Sequence, residues 1–315
     1  MSKKIIAVVG STGSQGGGLV RAILADKSGE FSVRALTRKP DSDNGKELAR
    51  LGAEVVAADI DNLDSVRKAF TGAYGAFCIT NYWEHMSPDR EIAQARTLAQ
   101  AARDAGLKHV IWSTLEDTRE KVPLTDNRMP TLHGKYKVPH FDTKGSSDRI
   151  FTELGVPTTF LLTAFYWDNL ISFGMGPKAG PDGKLAFTLP MADQPMSGIA
   201  AEDIGKCAYG IFKRGAELIG KHVGIAGEHL TGEQMAQQLS KALGKQIAYN
   251  YVPPEVYRTF GFPGADDMGN MFQYYRDFAK EFTEARDLGF ARKLNPELQS
   301  FSQWLERSKT RIPLG

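Results

Sequence analysis

The sequence of 315 residues is poor in cysteine: Cys78 and Cys207 are the two it has, each in an apolar stretch. Two isolated thiols exclude a disulfide framework, fit a reducing compartment and read as small buried hydrophobes. Net charge is also scarce, since 39 Lys and Arg against 37 Asp and Glu leave +2. That is too little for a broad field that would draw nucleic acid or an anionic membrane. "KYKVPHFDTK" is basic only locally and of mixed sign, so direct nucleic-acid binding is not expected. No apolar run approaches the roughly 18 residues of a membrane span. The opening Met-Ser-Lys-Lys leads into a run too short for a signal-peptide core. Metal-ligand spacing is missing as well: His85, His109, His133, His140, His222 and His229 form neither i, i+4 pairs nor a Cys-His cluster. No repeat of solenoid period occurs. A soluble cytoplasmic protein is expected, with the nucleus as a second location.

What is present is alternation. Hydrophobic residues make up 42% and charged residues 24%, an ordinary globular balance. Strand-like runs occur at 4–10, 31–38, 53–59, 74–80, 108–114 and 155–162. Helix-like segments separate them: Leu19, Val20, Ile23 and Leu24 recur at helical spacing before a stop at 27–29, then 46–52, the face Leu63, Val66, Ala69, Phe70, the alanine-rich 88–105, and a helix opened by Pro139. This order predicts an α/β fold, a Rossmann-type doubly wound parallel sheet over residues 1–163, with its ligand site at the carboxyl ends of the strands. From 164 to 315 the elements shorten into a smaller C-terminal α/β lobe capping that edge, some of whose segments are placed to extend the main sheet. Helices are expected near 202–214, 232–243, 254–260 and 266–282, and a last one with Leu298, Phe301, Trp304 and Leu305 on one stripe. Thr231 and Gln234 spell a capping box.

Between the first strand and its helix lies "VVGSTGSQGGGL", with Gly10, Gly13 and Gly16 as G-x-x-G-x-x-G. Glycine is needed there for the tight turn, for backbone approach to a pyrophosphate, and for close packing of helix on strand. The helix N-terminus adds free N–H groups and partial positive charge. The second strand ends in Thr37-Arg38-Lys39, where an NAD site carries an acidic residue for the ribose 2′-OH. Arg38 instead pairs bidentately with a 2′-phosphate, so the expected cofactor is NADP(H). Asp59 and Leu63, after the third strand, are placed to flank the adenine.

With these residues in hand, the chain resembles the NmrA-like family of atypical short-chain dehydrogenases, and within it the NADP(H)-sensing redox-sensor proteins. The stretches that carry the likeness are "GSTGSQGG", "LTRKP", "ITNYWE", "HFDTKG", "GVPTTFLL", "YWDNL", "PDGK", "LGKQ", "FGFPGADDMGNMF" and "LNPELQSFSQWLE". The resemblance implies a cofactor site formed by Gly10, Ser11, Thr12, Gly13, Ser14, Gln15 and Gly16, by Arg38, by Thr80, Asn81 and Tyr82, by Lys144, and by Tyr166, Trp167, Asp168 and Asn169. It also implies association that depends on cofactor, including a homodimer, and regulation through protein partners. Ala93 and Gln94 stand where the sensor members carry a lysine, which leaves one phosphate or ribose contact to be supplied from elsewhere.

Reductases of this superfamily use Tyr-x-x-x-Lys, in which lysine holds the nicotinamide ribose and lowers the tyrosine pKa. Here the spacing and the lysine remain, but the first position is His140 and the fifth Lys144. The missing tyrosine favours a cofactor-ratio sensor without turnover, whose loops at 80–90, 115–140 and 166–182 respond to the cofactor. The alternative is an NADPH-dependent reductase of a small carbonyl, quinone or enone, with His140 as acid and Ser113 or Thr114 holding a carbonyl. Tyr82 and Tyr166 are further acid candidates whose expected place is the cofactor wall, and Tyr136 lies outside the helix that Pro139 opens.

Overall fold

The computed structural model describes residues 3–314. Its first half builds strands and helices in turn. The strands are β1 (Lys4–Val8), β2 (Phe31–Thr37), β3 (Glu54–Ala57), β4 (Gly75–Cys78), β5 (His109–Thr114) and β6 (Thr158–Leu162). The helices are α1 (Ser14–Ala25), α2 (Asp43–Arg50), α3 (Leu63–Phe70), the single turn α4 (Tyr82–His85), α5 (Pro88–Asp104) and α6 (Pro139–Glu153). The strands are shorter than the apolar runs, because the run ends become turns that feed the helices. Local chemistry sets the helix starts: the side chains of Ser42, Asn62 and Ser87 cap α2, α3 and α5, and proline opens α5 and α6.

The second half contributes β7 (Phe165–Tyr166), α7 (Asn169–Ser172), β8 (Lys178–Ala179), β9 (Leu185–Leu189), β10 (Met196–Ile199), α8 (Ala201–Arg214), β11 (His222–Gly224) and β12 (Glu228–Leu230). It closes with α9 (Gly232–Leu243), β13 (Ile247–Tyr251), α10 (Pro254–Tyr257), α11 (Ala265–Asp277), α12 (Ala279–Glu284), α13 (Leu288–Leu294) and α14 (Phe301–Ser308). The capping box at Thr231 and Gln234 forms, with both reciprocal bonds present. The helix expected over 266–282 is two: Phe278 has φ −122 and ψ 32, which stops α11 and restarts the chain as α12. The helix expected over 254–260 is only the turn α10.

The main sheet has seven strands in the order β11-β6-β5-β4-β1-β2-β3, every neighbouring pair parallel. β1 lies between β2 and β4, so successive crossovers leave it in opposite directions and a crevice opens at the carboxyl ends there. This is a Rossmann-like α/β fold. Two three-stranded sheets, β12-β10-β7 and β13-β9-β8, belong to the second half. The main sheet draws on that half too, since β11 pairs with β6.

Apolar packing follows the same plan. Ile6, Val8, Phe77 and Ile111 project to one face with α1 and α8, and Ala7, Ala76, Val110 and Trp112 to the other with α3 and α5. A third cluster joins α6 to the later elements through Phe141, Phe165, Trp167, Phe272 and Trp304. α1 and α8 touch backbone to backbone. A Cβ at Gly205 would overlap the Leu19 nitrogen, and one at Gly18 would press on the Glu202 carbonyl. Packing therefore explains Gly18. Replacing Gly205 by valine is expected to cost about 1–3 kcal/mol of stability, the usual range for overpacking. Urea denaturation measures it, and an unchanged midpoint would show that the two helices part freely.

Candidate functional site

A cavity of about 680 Å³ lies at the carboxyl edge of the main sheet, roofed by α7 and α11. Its floor is the turn between β1 and α1. Gly10 there has φ +63, a conformation that L side chains resist. The Gly13 N–H donates to the Gly10 carbonyl at 2.9 Å, and a Cβ at Gly16 would overlap that same carbonyl. α1 starts without a side-chain cap and without an acidic residue in its first turn. Thr12, Gly13, Ser14, Gln15 and Gly16 all line the cavity, so its floor is a backbone cradle of positive potential, suited to a pyrophosphate.

One end of the cavity is lined by Arg38, Lys39, Ser42, Asp59, Asp61, Arg90 and Gln94. Both terminal nitrogens of Arg38 meet the carboxylate of Glu84 on α4, the second at 3.2 Å. Arg90 grips Asp61 at 2.6 Å, and Gln94 donates to the same carboxylate at 2.9 Å. Ala93 is exposed and does not line the cavity; Arg90 and Gln94, on the same helix, do.

Toward the other end Lys144 reaches down from α6. Its Nζ donates to the Thr80 carbonyl at 2.9 Å and to Thr80 Oγ1 at 2.7 Å, and lies 2.8 Å from Glu91 Oε1. Thr80 Oγ1 donates in turn to Glu91 Oε1 at 2.5 Å. His85 Nδ1 accepts the Ser87 N–H, which leaves the proton on Nε2, 3.2 Å from Glu91 Oε2. Glu91 is fully buried, so its charge is answered inside the protein. One turn before Lys144, His140 also lines the cavity, with Nδ1 2.6 Å from Asp267 Oδ1 on α11. Asn81, Tyr82, Tyr166, Asp168 and Asn169 complete this side. Burial, reinforced by the charges of Asp267 and Glu91, pushes the Tyr82 phenol up, opposite to what a proton-passing tyrosine needs. Burial also raises Tyr166, whose hydroxyl accepts from the Gln15 amide. Ser113 donates its proton to Gln15 Oε1 at 2.8 Å, and Thr114 donates to Asp148 at 2.6 Å, so neither hydroxyl is free to hold a carbonyl. Phe165, Met268, Met271 and Tyr275 form an apolar far wall.

Three expected cofactor residues stand apart. Ser11 is buried and donates to the Leu36 carbonyl at 2.8 Å, tying the cradle to β2. Leu63 packs into the core beneath the sheet. Trp167 is enclosed near Phe301 and Trp304, with ring centroids at 5.3 and 6.3 Å, and does not line the cavity. Asp168 reaches the cavity while accepting the Ala201 N–H at 2.8 Å, which fixes the start of α8. Sequence reasoning missed Glu84, Glu91 and Asp267. Glu91 had a signal, since it shares the apolar stripe Ala95, Leu98 and Ala102 of α5. Asp267 lay inside the stretch "FGFPGADDMGNMF", but 127 positions from its partner nothing tied it to His140.

The family model described as the NmrA-like family matches residues 2–305. The chain belongs to the NmrA-like family. It is 32% identical over 310 residues to the NmrA-like family domain-containing oxidoreductase FrzB of a Cladobotryum species, covering 89% of this chain and 88% of that one. An NmrA-like family domain-containing protein of Dictyostelium discoideum is 27% identical over 316 residues, with 98% of both chains covered. Among solved structures, NmrA, a negative transcriptional regulator, superposes on this NmrA-like chain with a TM-score of 0.79 at 25% identity, covering 96% and 95% of the two chains. NmrA is also known in complex with NAD and with NADP, both at a TM-score of 0.78 and covering 97% of this chain and 95% of NmrA's. No helix among the described residues is long and apolar enough to cross a membrane. Among them, no three or more His, Cys, Asp or Glu side chains gather as a metal site.

The Glu91 network yields a stability prediction. Glu91→Ala leaves the half-buried Lys144 ammonium without its counter-charge and is expected to cost about 1–3 kcal/mol, whereas Lys144→Met with Glu91→Leu costs less. Chemical denaturation of the single and double variants checks this; equal losses would show that the pair is not coupled.

Proposed function

We propose that this NmrA-like protein is an NADP(H)-dependent reductase of neutral, largely apolar small molecules carrying a polarised double bond. The observation that carries the reading is the continuity of one cavity, from the glycine cradle and Arg38 to the apolar wall of Phe165, Met268, Met271 and Tyr275. A dinucleotide accounts for the cradle and the basic end; the far wall suits a second, uncharged molecule. Methionine side chains let such a wall adapt to different shapes. The cofactor, when bound, supplies a hydride from its nicotinamide. The chain supplies backbone N–H groups for the pyrophosphate, a guanidinium for the 2′-phosphate, and a wall that keeps water from the acceptor. FrzB and the Aspergillus flavus relative lnbB, 29% identical over 297 residues, are both named oxidoreductases, which supports turnover.

The choice of NADP(H) over NAD(H) rests on Arg38 and on the lack of a carboxylate at the end of β2. Glu84 occupies the guanidinium face that a 2′-phosphate would take. Arg38→Ala is expected to raise the Kd for NADPH about 10–100-fold and that for NADH less than about threefold, as fits a charge-assisted bidentate pair. Glu84→Gln removes the competitor and is expected to lower the Kd for NADPH about two- to fivefold, the scale of an exposed ion pair. Calorimetry with both cofactors measures this, and equal loss of both in Arg38→Ala removes the 2′-phosphate assignment.

A second reading, a cofactor-ratio sensor acting on protein partners or through a homodimer, draws support from the ion pairs themselves. Arg38 and Lys144 are held by Glu84 and Glu91, so a cofactor engaging either cation would compete with α4 and α5 and reset the segment at 80–90. One experiment separates the two. NADPH oxidation is followed with a panel of aromatic aldehydes, enals and quinones, beside sedimentation with and without NADPH. The reductase reading expects stoichiometric oxidation with at least one class. Tight NADPH binding with no oxidation and a cofactor-dependent change in association would reject it in favour of the sensor.

A further inference from the structure

We infer that His140 is the proton donor of this reduction and that Asp267 is its positioning residue. The inference rests on the reductase reading. α6 places His140 and Lys144 one turn apart, both on the cavity. The Asp267 carboxylate meets His140 twice, accepting Nδ1–H at 2.6 Å and the backbone N–H at 3.2 Å. A carboxylate only accepts, so the Nδ1 proton is fixed and the ring cannot flip without losing this bond. Trp83 and Phe141 pack against the ring, with centroids at 4.8 and 4.9 Å. Nε2 has no protein partner among the described residues. Lys144 is committed to Thr80 and Glu91 and Ser113 to Gln15, while burial raises the Tyr82 and Tyr166 phenols, against proton transfer. Asp267 is itself buried and lies one turn before Met271 on α11, so one helix supplies both the orienting carboxylate and part of the substrate wall.

The acceptor considered is a carbonyl. NADPH gives a hydride to the carbonyl carbon, forming C–H, and the π pair moves to oxygen. The Nε2–H bond of the His140 imidazolium breaks as O–H forms. NADP+ and an alcohol result, and neutral His140 regains its proton from water after product leaves. The Asp267 carboxylate accepts the Nδ1 proton before the step and holds the neutral ring Nδ1-protonated after it.

The test uses the full chain with NADPH and the aldehyde panel, reading 4-nitrobenzaldehyde first. His140→Gln is expected to lower kcat by about 10²–10⁴, the range for a lost general acid, with the NADPH Kd within about twofold of the parent. His140→Gly should regain activity with added imidazole, and Asp267→Glu should keep more of it than Asp267→Asn. A readout independent of turnover is ¹⁵N-histidine NMR of the parent, expected to show His140 Nδ1-protonated, with that signal lost in Asp267→Asn. A neutral His140 whose single proton sits on Nε2 and leaves Nδ1 bare, or a folded His140→Gln variant with kcat within about threefold of an active parent, overturns the assignment and leaves the reductase reading standing. A His140→Gly variant that ignores imidazole also overturns it. A parent that binds NADPH but oxidises it with no member of the panel overturns both.

Discussion

The structure is organised around a backbone contact that no side chain can enter. α1 must begin hard against the turn out of β1, where Gly16 faces the Gly10 carbonyl, and its outer face must receive α8, where Gly18 and Gly205 do the same. The first contact aims uncapped N–H groups into the crevice beside β1. The second pins the helix from behind, so the cradle rests on a rigid element. A site made of backbone needs that rigidity, because no side chain can swing to correct a displaced amide. Ser11, buried and bonded to the Leu36 carbonyl, adds a tie from the cradle to β2.

Above this floor, carboxylates face the chain's basic side chains. Glu84 sits on Arg38, Glu91 on Lys144, Asp61 on Arg90 and Asp267 on His140. The pairs differ in depth, and depth sets their consequence. Arg38 and Glu84 are well exposed, so solvent screens them and the pair yields to a stronger anion. Glu91 and Asp267 are buried, and removing either would strand its partner in a low dielectric. The basic end is thus exchangeable, whereas the end near His140 is built in.

Periodicity made the first half of the fold legible. Six strands and their helices follow from alternation, glycine stops and caps, and the cradle from its place between β1 and α1. The second half was less legible because its strands are two to five residues long, too short to show a period. Phe278 splits a helix whose sequence carries no breaker at that point. At the site, residues close in sequence to a motif were found and their long-range partners were not. His140 and Lys144 were visible through their spacing, but Asp267 completes the first from the far end of the chain. Trp167 shows the opposite failure: a motif neighbour of Tyr166 and Asp168, it sits in the turn between β7 and α7 and packs into the core against Phe301 and Trp304.

The seventh strand sets the order of assembly. β6 ends at Leu162, yet its outer edge is covered only by residues 222–224, and α8, which seals α1, lies between. A chain emerging from the ribosome therefore carries the glycine turn and α1 long before α8 arrives to pin them and before its sheet is closed. Through some sixty residues of synthesis the buried apolar strand β6 presents an open edge, the kind of surface that pairs with other chains. Folding must wait on this late, long-range pairing, which makes the interval between residues 162 and 224 the period when the protein is most exposed to aggregation.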